Sequence, residues 1–458
     1  MTKQSYFKFS KNIVVLCMMS LFFVSAYGRK GPDYSIVKYG AKSDTTFLST
    51  KAIQKAIDDC ARNGGGRVIV PAGTFLTGSI FLKDNVQLYL SPGSLLLGSR
   101  NVADYIAVKP SFKSFRTGGK TIQLIYAEKA VNVGICGEGT IDGQGRFFKK
   151  TAETDEGITR PHLIRFIECE NVTVRDVSLK NSGCWMQHFL ACENVRLTGL
   201  RIFNRSTQNN DGLDLDGCRN VVVSDLIMDT DDDAITLKST SPRLCENIAI
   251  VNCVVSSHCN GIKMGTETNG GFKNIVISNC IVKPSEKPEH KVFGRIGGIS
   301  GISLEIADGG IMEGVNISNV TIEGTQAPLF IRLSNRARAY APDVPVKNVG
   351  CIRNVSINGI RAIGAGTVGC SITGMPGHPV ENILISNSSF SFAGGVKEGG
   401  FNQVPGENEK SYPEATMWGN LPAWGFYVRH ASNVEFQNVE LKTIQPDVRP
   451  DYYQEDCK

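Results

Sequence analysis

The feature that most constrains this chain is a degenerate repeat, in which an asparagine, or once a glycine, opens a run of alternating apolar residues. It reads NVGICGEGTI from Asn132, NVTVRDVSL from Asn171, NVRLTGLRI from Asn194, NVVVSDLIM from Asn220, NIAIVNCVV from Asn247 and NIVISNCIV from Asn274. It continues as GVNISNVTI from Gly314, NVSINGIRA from Asn354, NILISNSSF from Asn382 and NVEFQNVEL from Asn433. From Asn171 to Asn274 the spacings are 23, 26, 27 and 27 residues, and most later intervals lengthen to 40 or more, which implies loop insertions. A period in the twenties made of strand and turn alone is the signature of a β-solenoid. The turns are too short for crossover helices, so successive coils must pair in parallel, with strands about 4.8 Å apart. Right-handed winding is the default for such crossovers.

A solenoid exposes strand edges at its ends and needs caps. The segment from Ser49 to Arg62 has apolar residues at 52, 53, 56, 57 and 60, the spacing of an amphipathic helix. Ser49 is placed to cap it, and Asn63-Gly64-Gly65-Gly66 ends it. From Arg67 on, short strand-like runs such as Val86–Leu90 are punctuated by Gly, Pro and Asn. A C-terminal β-sandwich over 340–458 is the competing reading, but Asn354, Asn382 and Asn433 keep the repeat. The expectation is an all-β chain: a single right-handed parallel β-helix over 29–458 with an N-terminal capping helix.

Residues 1–28 read as a secretory signal. Lys3, Lys8 and Lys11 precede the apolar run Ile13–Val24, and Ala26-Tyr27-Gly28 suits cleavage. That run is too short to span a bilayer, so the protein is expected to be exported, periplasmic or secreted, with no membrane attachment after cleavage. Losing those three lysines takes the formal charge from +5 to +2, which argues against a nucleic-acid binder. Of 14 cysteines one lies in the signal, and the rest are scattered singly, many within apolar repeats. They are expected to be mostly buried free thiols.

Three acidic segments fall about one repeat apart: NNDGLDLDG (Asn209–Gly217), DTDDDAITLK (Asp229–Lys238) and SSHCNGIKMGTE (Ser256–Glu267). With Leu213, Leu215, Ile235, Leu237, Ile262 and Met264 pointing inward, their alternate neighbours point out. In register this stacks Asp211 over Asp233, Asn210 over Asp232, and Asp214 over Thr236 over Lys263. Crowded carboxylates raise the pKa of at least one of them. A polysaccharide hydrolase needs that outcome, with one carboxyl protonated as acid and another ionised as base. The plainer readings are a calcium-binding turn or a solvated loop.

These segments resemble glycoside hydrolase family 28, the polygalacturonases and related pectin hydrolases. That family carries N-T-D, G-D-D, G-H-G and R-I-K motifs on successive coils of a right-handed parallel β-helix. Here NND ends at Asp211, and the acid pair is Asp232-Asp233, with Asp231 in the glycine's place. The resemblance also covers the N-terminal helix, the VPAGTF turn and WMQHFLACENV (Trp185–Val195). It implies inverting hydrolysis, with Asp232 as general acid and Asp211 and Asp233 holding and deprotonating the attacking water.

Two motifs depart from the family. Cys259 stands where the G-H-G histidine belongs, with His258 one residue early. The R-I-K strand corresponds to Gly301–Glu305, so Ser303 and Glu305 replace both bases that hold the galacturonate carboxylate in the family. Substitute cations are Lys263, Lys238, Arg332, Arg336 and Arg338, since a guanidinium fork suits a carboxylate. Asp214 and His258 are further substrate-binding candidates. Trp185 and His188, on the coil before Asp211, are the preferred sugar-facing pair over Trp418, Trp424 and Tyr412. Losing R-I-K while keeping the aspartates points to rhamnogalacturonan or another substituted pectin.

The expected protein is therefore a monomeric, exported glycosidase acting on pectic polysaccharide, without cofactor or metal. Alternatives are a calcium-dependent polysaccharide lyase on the same solenoid and a non-catalytic glycan-binding solenoid.

Overall fold

The computed structural model describes residues 32–458 except 153–155, 287–290, 293–294 and 347. The expected signal, 1–28, lies outside the described residues. Almost all strands belong to one continuous parallel ladder, wound as a right-handed parallel β-helix. The repeat supplies one stack of strands: Glu170–Arg175, Glu193–Thr198, Arg219–Ser224, Cys245–Val251 and Gly271–Pro284 pair coil on coil. Their inward positions form an aliphatic file in which Val172, Val195, Val221, Ile248, Ile275 and Val315 meet successively. All six are buried, and this file is part of the continuous apolar core whose removal from water drives folding.

The asparagine that opens each repeat has a physical role that periodicity alone does not reveal. Asn132, Asn171, Asn194, Asn220, Asn247 and Asn274 all sit at φ between 54° and 58°, the left-handed turn conformation that asparagine tolerates better than most residues. Each side-chain amide donates to the amide oxygen one coil earlier, at 2.8–3.3 Å, from Asn132 onto Asn85 through to Asn274 onto Asn247. Gly314 takes the same turn at φ 70° directly over Asn274. The ladder resumes as Asn433 to Asn382 to Asn354 at 3.0 and 2.9 Å. The strands Cys351–Ala365, Val380–Gly394 and Phe426–Gln445 thus continue the solenoid, and a C-terminal sandwich is excluded.

The capping helix runs Thr50–Arg62 and buries Ile53, Ala56, Ile57 and Cys60. Ser49 occupies the cap position but does not cap, because its hydroxyl bonds Lys42 instead. All thirteen cysteines in the described residues are free, and ten are buried. Among those residues no helix is long and apolar enough to cross a membrane.

Candidate active site

A second stack of strands carries the acidic segments: Gln187–Leu190, Leu213–Asp216, Ile235–Ser239, Asn260–Thr268 and Gly298–Ile306. Asp214 pairs with Thr236, Thr236 with Lys263, and Lys263 with Ser303, which is the register expected from the alternation. Gly212 N–H donates to Asp233 C=O at 3.0 Å, setting Asp211 beside Asp233. A β-carbon at Gly212 would meet Ala234 O and Met228 Cε, each at 2.7 Å, so the close approach of these turns requires glycine.

Polar scaffolding holds both turns. Buried Asn210 accepts from the Ser206 and Thr207 amides at 2.8 and 2.6 Å and donates to Ser182 O and Cys184 O. Asn204 donates to Asp211 O at 2.9 Å. On the next coil the hydroxyls of Thr230 and Ser257 both donate to Asp232 O at 2.7 Å. Asn210 therefore shapes the Asp211 turn, which explains its place before that aspartate.

The carboxylates do not share one environment. Asp233 is buried but receives Lys263 Nζ at 3.0 Å and Asn260 Nδ2 at 2.6 Å. Burial alone would raise its pKa; Lys263, Lys238 and Asn260 outweigh that and hold it below the usual range. Asp232, next in the chain and half-buried, is pushed up to about 6 by desolvation and by the Asp233 charge. Asp211 is raised well above its ordinary value by burial, Asp214 and Asp232, and one of its oxygens has no hydrogen-bond partner. Asp214 is raised to about 7, chiefly by burial, with Lys238 pulling the other way at 3.5 Å. These groups titrate as one cluster, in which Asp233 is ionised and its neighbours compete for protons.

Lys238 lies among Asp211, Asp214 and Glu267 at 3.9, 3.5 and 3.7 Å, which keep it protonated despite burial. Glu267 also takes Arg116 at 2.8 Å and Arg338 at 2.7 Å. Arg116 and Glu267 are site components that the sequence reading missed. Arg116 sits on the short 3-10 helix Phe115–Thr117, 151 residues before Glu267 in the chain, with no motif to mark it.

Several expected substrate contacts are committed to the protein instead. Arg332 is buried and donates to Gly374 O at 2.8 Å and to Glu407 O. Arg336 clamps Asp308 at 3.0 Å and Thr266 O at 2.8 Å. His188 is buried between Arg165 Nε at 3.2 Å and Asp216 at 3.3 Å, and burial lowers its pKa to about 4, leaving it neutral. Trp185 is buried edge-on to His188, with Arg116 and Lys238 over its ring at 4.4 and 4.6 Å, so cations occupy the faces a sugar would need. Trp418 is buried and bonded to Gly406 O, and Trp424 packs on Phe392. Tyr412 instead reaches the site: its hydroxyl accepts from Lys263 at 2.9 Å and the residue is 52% exposed. His258 is buried on the turn before Asn260, and the Cys259 thiol lies within 4.8 Å of the Asp232 and Asp233 carboxylates.

Residues 65–410 match the family described as glycosyl hydrolases family 28. A probable polygalacturonase of Vitis vinifera is 30% identical over 47% of this chain and 46% of its own. An exo-poly-alpha-D-galacturonosidase of Dickeya chrysanthemi is 30% identical over 44% of this chain and 41% of its own. The chain thus spans about half the length of these curated relatives. The family 28 exopolygalacturonase structure from Yersinia enterocolitica shares the fold, with TM-score 0.70 and 20% identity over 94% of this chain and 78% of that one. With the family match running from the first coils to residue 410 and enclosing the whole aspartate cluster, this chain belongs to glycosyl hydrolase family 28.

Proposed function

We propose that the chain is an exported glycosidase that hydrolyses galacturonate-containing pectin with inversion, acting as a monomer after removal of residues 1–28 from a single solenoid unit, 29–458. The observation that carries the chemistry is the unlike state of two adjacent carboxyls: Asp232 is raised to about 6 while Asp233 is held ionised. Divergent pKa values in one site mark the acid and the base. Asp232 donates its proton to the glycosidic oxygen as the bond to the anomeric carbon breaks. Water held by Asp233 and Asp211 attacks that carbon from the opposite face and gives its proton to the ionised carboxylate. The hydrolysed sugar leaves with inverted configuration, and the released chain carries the proton from Asp232. The names of the relatives support galacturonate as the sugar bound at the cleavage point.

The test is incubation with pectic polymers in the presence of chelator, following reducing ends, anomeric configuration by NMR, and the absorbance of unsaturated uronates. New reducing ends of inverted configuration without absorbance are expected. Absorbance that chelator abolishes would establish a lyase, and binding without any cleavage would establish a glycan-binding solenoid.

A further inference from the structure

Beside the two adjacent aspartates stands a thiol that the hydrolysis does not use. Among the described residues, Asp232, Asp233 and Cys259 form the one group of three carboxylate, thiol or imidazole side chains whose ligand atoms all lie within 4.8 Å of one another. Cys259 lies between the strand that ends at Ser257 and the one that begins at Asn260. Its thiol makes only a long contact, 3.9 Å, to Asp231 O. Asp232 commits Oδ1 to the Asp233 amide at 2.9 Å, and among the described residues its second oxygen bonds nothing. On the preceding coil, Asp211 is buried beside Asp233, and its Oδ1 also lacks a hydrogen-bond partner. An orphaned buried oxygen calls for a water or an ion. The oxygen that holds the attacking water in hydrolysis is therefore equally a ligand for a cation.

We propose that a thiophilic divalent cation, zinc or cadmium, binds across Asp232, Asp233 and Cys259 with Asp211 closing the site, and reversibly stops hydrolysis by occupying the acid and the base. The inhibition rests on the glycosidase reading above; the binding does not. Sulfur decides the metal. Carboxylates with a thiolate suit zinc and cadmium, whereas calcium and magnesium take oxygen ligands and gain nothing from Cys259. Tetrahedral zinc, with bonds of about 2.0–2.3 Å, needs ligand atoms about 3.5 Å apart. The group therefore closes by about 1 Å as the metal enters, a movement that a side chain on a turn can make. The Cys259 thiol gives its proton to water as the sulfur–metal bond forms. Lys263, at 3.0 Å from Asp233, and Lys238, at 3.9 Å from Asp211, oppose the cation. Asp211, Asp232, Asp233 and the Cys259 thiolate outnumber them, so the local charge still favours it. Chelator should thus raise hydrolysis wherever such metal is present, the opposite of its effect on a calcium-dependent lyase.

The test strips the full chain with chelator, removes the chelator, and titrates in cadmium chloride while following the ultraviolet charge-transfer absorbance of a cadmium–thiolate bond. Hydrolysis of pectic polymer is then measured against zinc, cadmium and calcium chlorides. Wild-type protein should show the cadmium–thiolate band and lose hydrolysis to zinc and cadmium, with recovery on adding chelator, while calcium leaves hydrolysis intact. Cys259→Ser should lose that band, apart from any share due to the exposed Cys457. In Cys259→Ser the zinc concentration that halves hydrolysis should rise by about tenfold or more, equivalent to about 1.4 kcal/mol. Asp232→Asn, read by the band alone, should bind cadmium more weakly. Equal bands or equal zinc inhibition in wild type and Cys259→Ser overturn the inference, as does a folded Asp232→Asn protein with unchanged cadmium affinity. A Cys259-dependent band with undiminished hydrolysis overturns the inhibition. Absence of hydrolysis in the metal-free wild type overturns the glycosidase reading instead, and the band still decides the metal site.

Discussion

Lys263 and Asp233 meet at 3.0 Å across neighbouring coils, and this contact keeps Asp233 ionised beside an Asp232 raised to about 6. Lysine at 263 follows Ile262 on an outward position, so the register of one strand sets the charge state of the next.

Lys263→Met should therefore raise the Asp233 pKa. The base must be ionised to act, so the acidic limb of the kcat/KM profile should move to higher pH by about one unit, equivalent to about 1.4 kcal/mol. The loss should be greatest at low pH. An unmoved acidic limb would show that Lys263 does not govern the base.

Asp232→Asn should cut turnover on pectic polymers by about 10²–10⁴-fold, the usual contribution of a general acid. Thermal unfolding should hold or rise slightly, because one like charge leaves a crowded cluster. Turnover close to wild type would move the acid role to Asp211, whose pKa burial also raises.

With wild-type protein, the alkaline limb should fall as pH rises through about 6, where Asp232 loses its proton. Replacing Asp232 should abolish this alkaline limb, whereas replacing Lys263, which also holds the Asp232 pKa down, should leave it in place, and a pH series on both variants checks this.

Glu305 is fully buried, with its pKa raised to about 7. A carboxyl raised on folding destabilises the native state once it must ionise: no penalty applies below its unfolded pKa, and the penalty grows up to the folded one. Relative to wild type, Glu305→Gln should gain thermal stability between about pH 4.5 and pH 7, then level off. A pH-independent difference in Tm would mean that the Glu305 pKa does not change on folding.

On the outer ladder, Asn220 holds φ 55° and bonds both Asn194 and Asn247. Asn220→Ala should destabilise by about 2–3 kcal/mol, from left-handed strain of about 1–2 kcal/mol plus the lost hydrogen bonds. Asn220→Gly relieves the strain and should cost less, which denaturant melts of the two variants would separate. Equal losses would assign the role to hydrogen bonding alone.

The solenoid was legible in the chain because its order is local and periodic. The Asn-led alternation from Asn132 to Asn433 specifies which residues point inward, and a parallel ladder repeats that choice coil after coil. The same alternation put Asp214, Thr236 and Lys263 in one file, so the aspartate cluster could be read from spacing. What the cluster touches could not be read that way. Arg116 lies 151 residues before its partner Glu267 and Tyr412 lies 149 residues after its partner Lys263, and no period constrains segments so placed. Arg332, Arg336 and His188 are candidates by residue type and by the coil they lie on, neither of which predicts what covers them. Loops and neighbouring coils bury Arg332 and His188 and commit Arg336 to Asp308. Local pattern determined the coil and its register. Charge state and access depend on burial and on through-space partners, which only the packed loops decide.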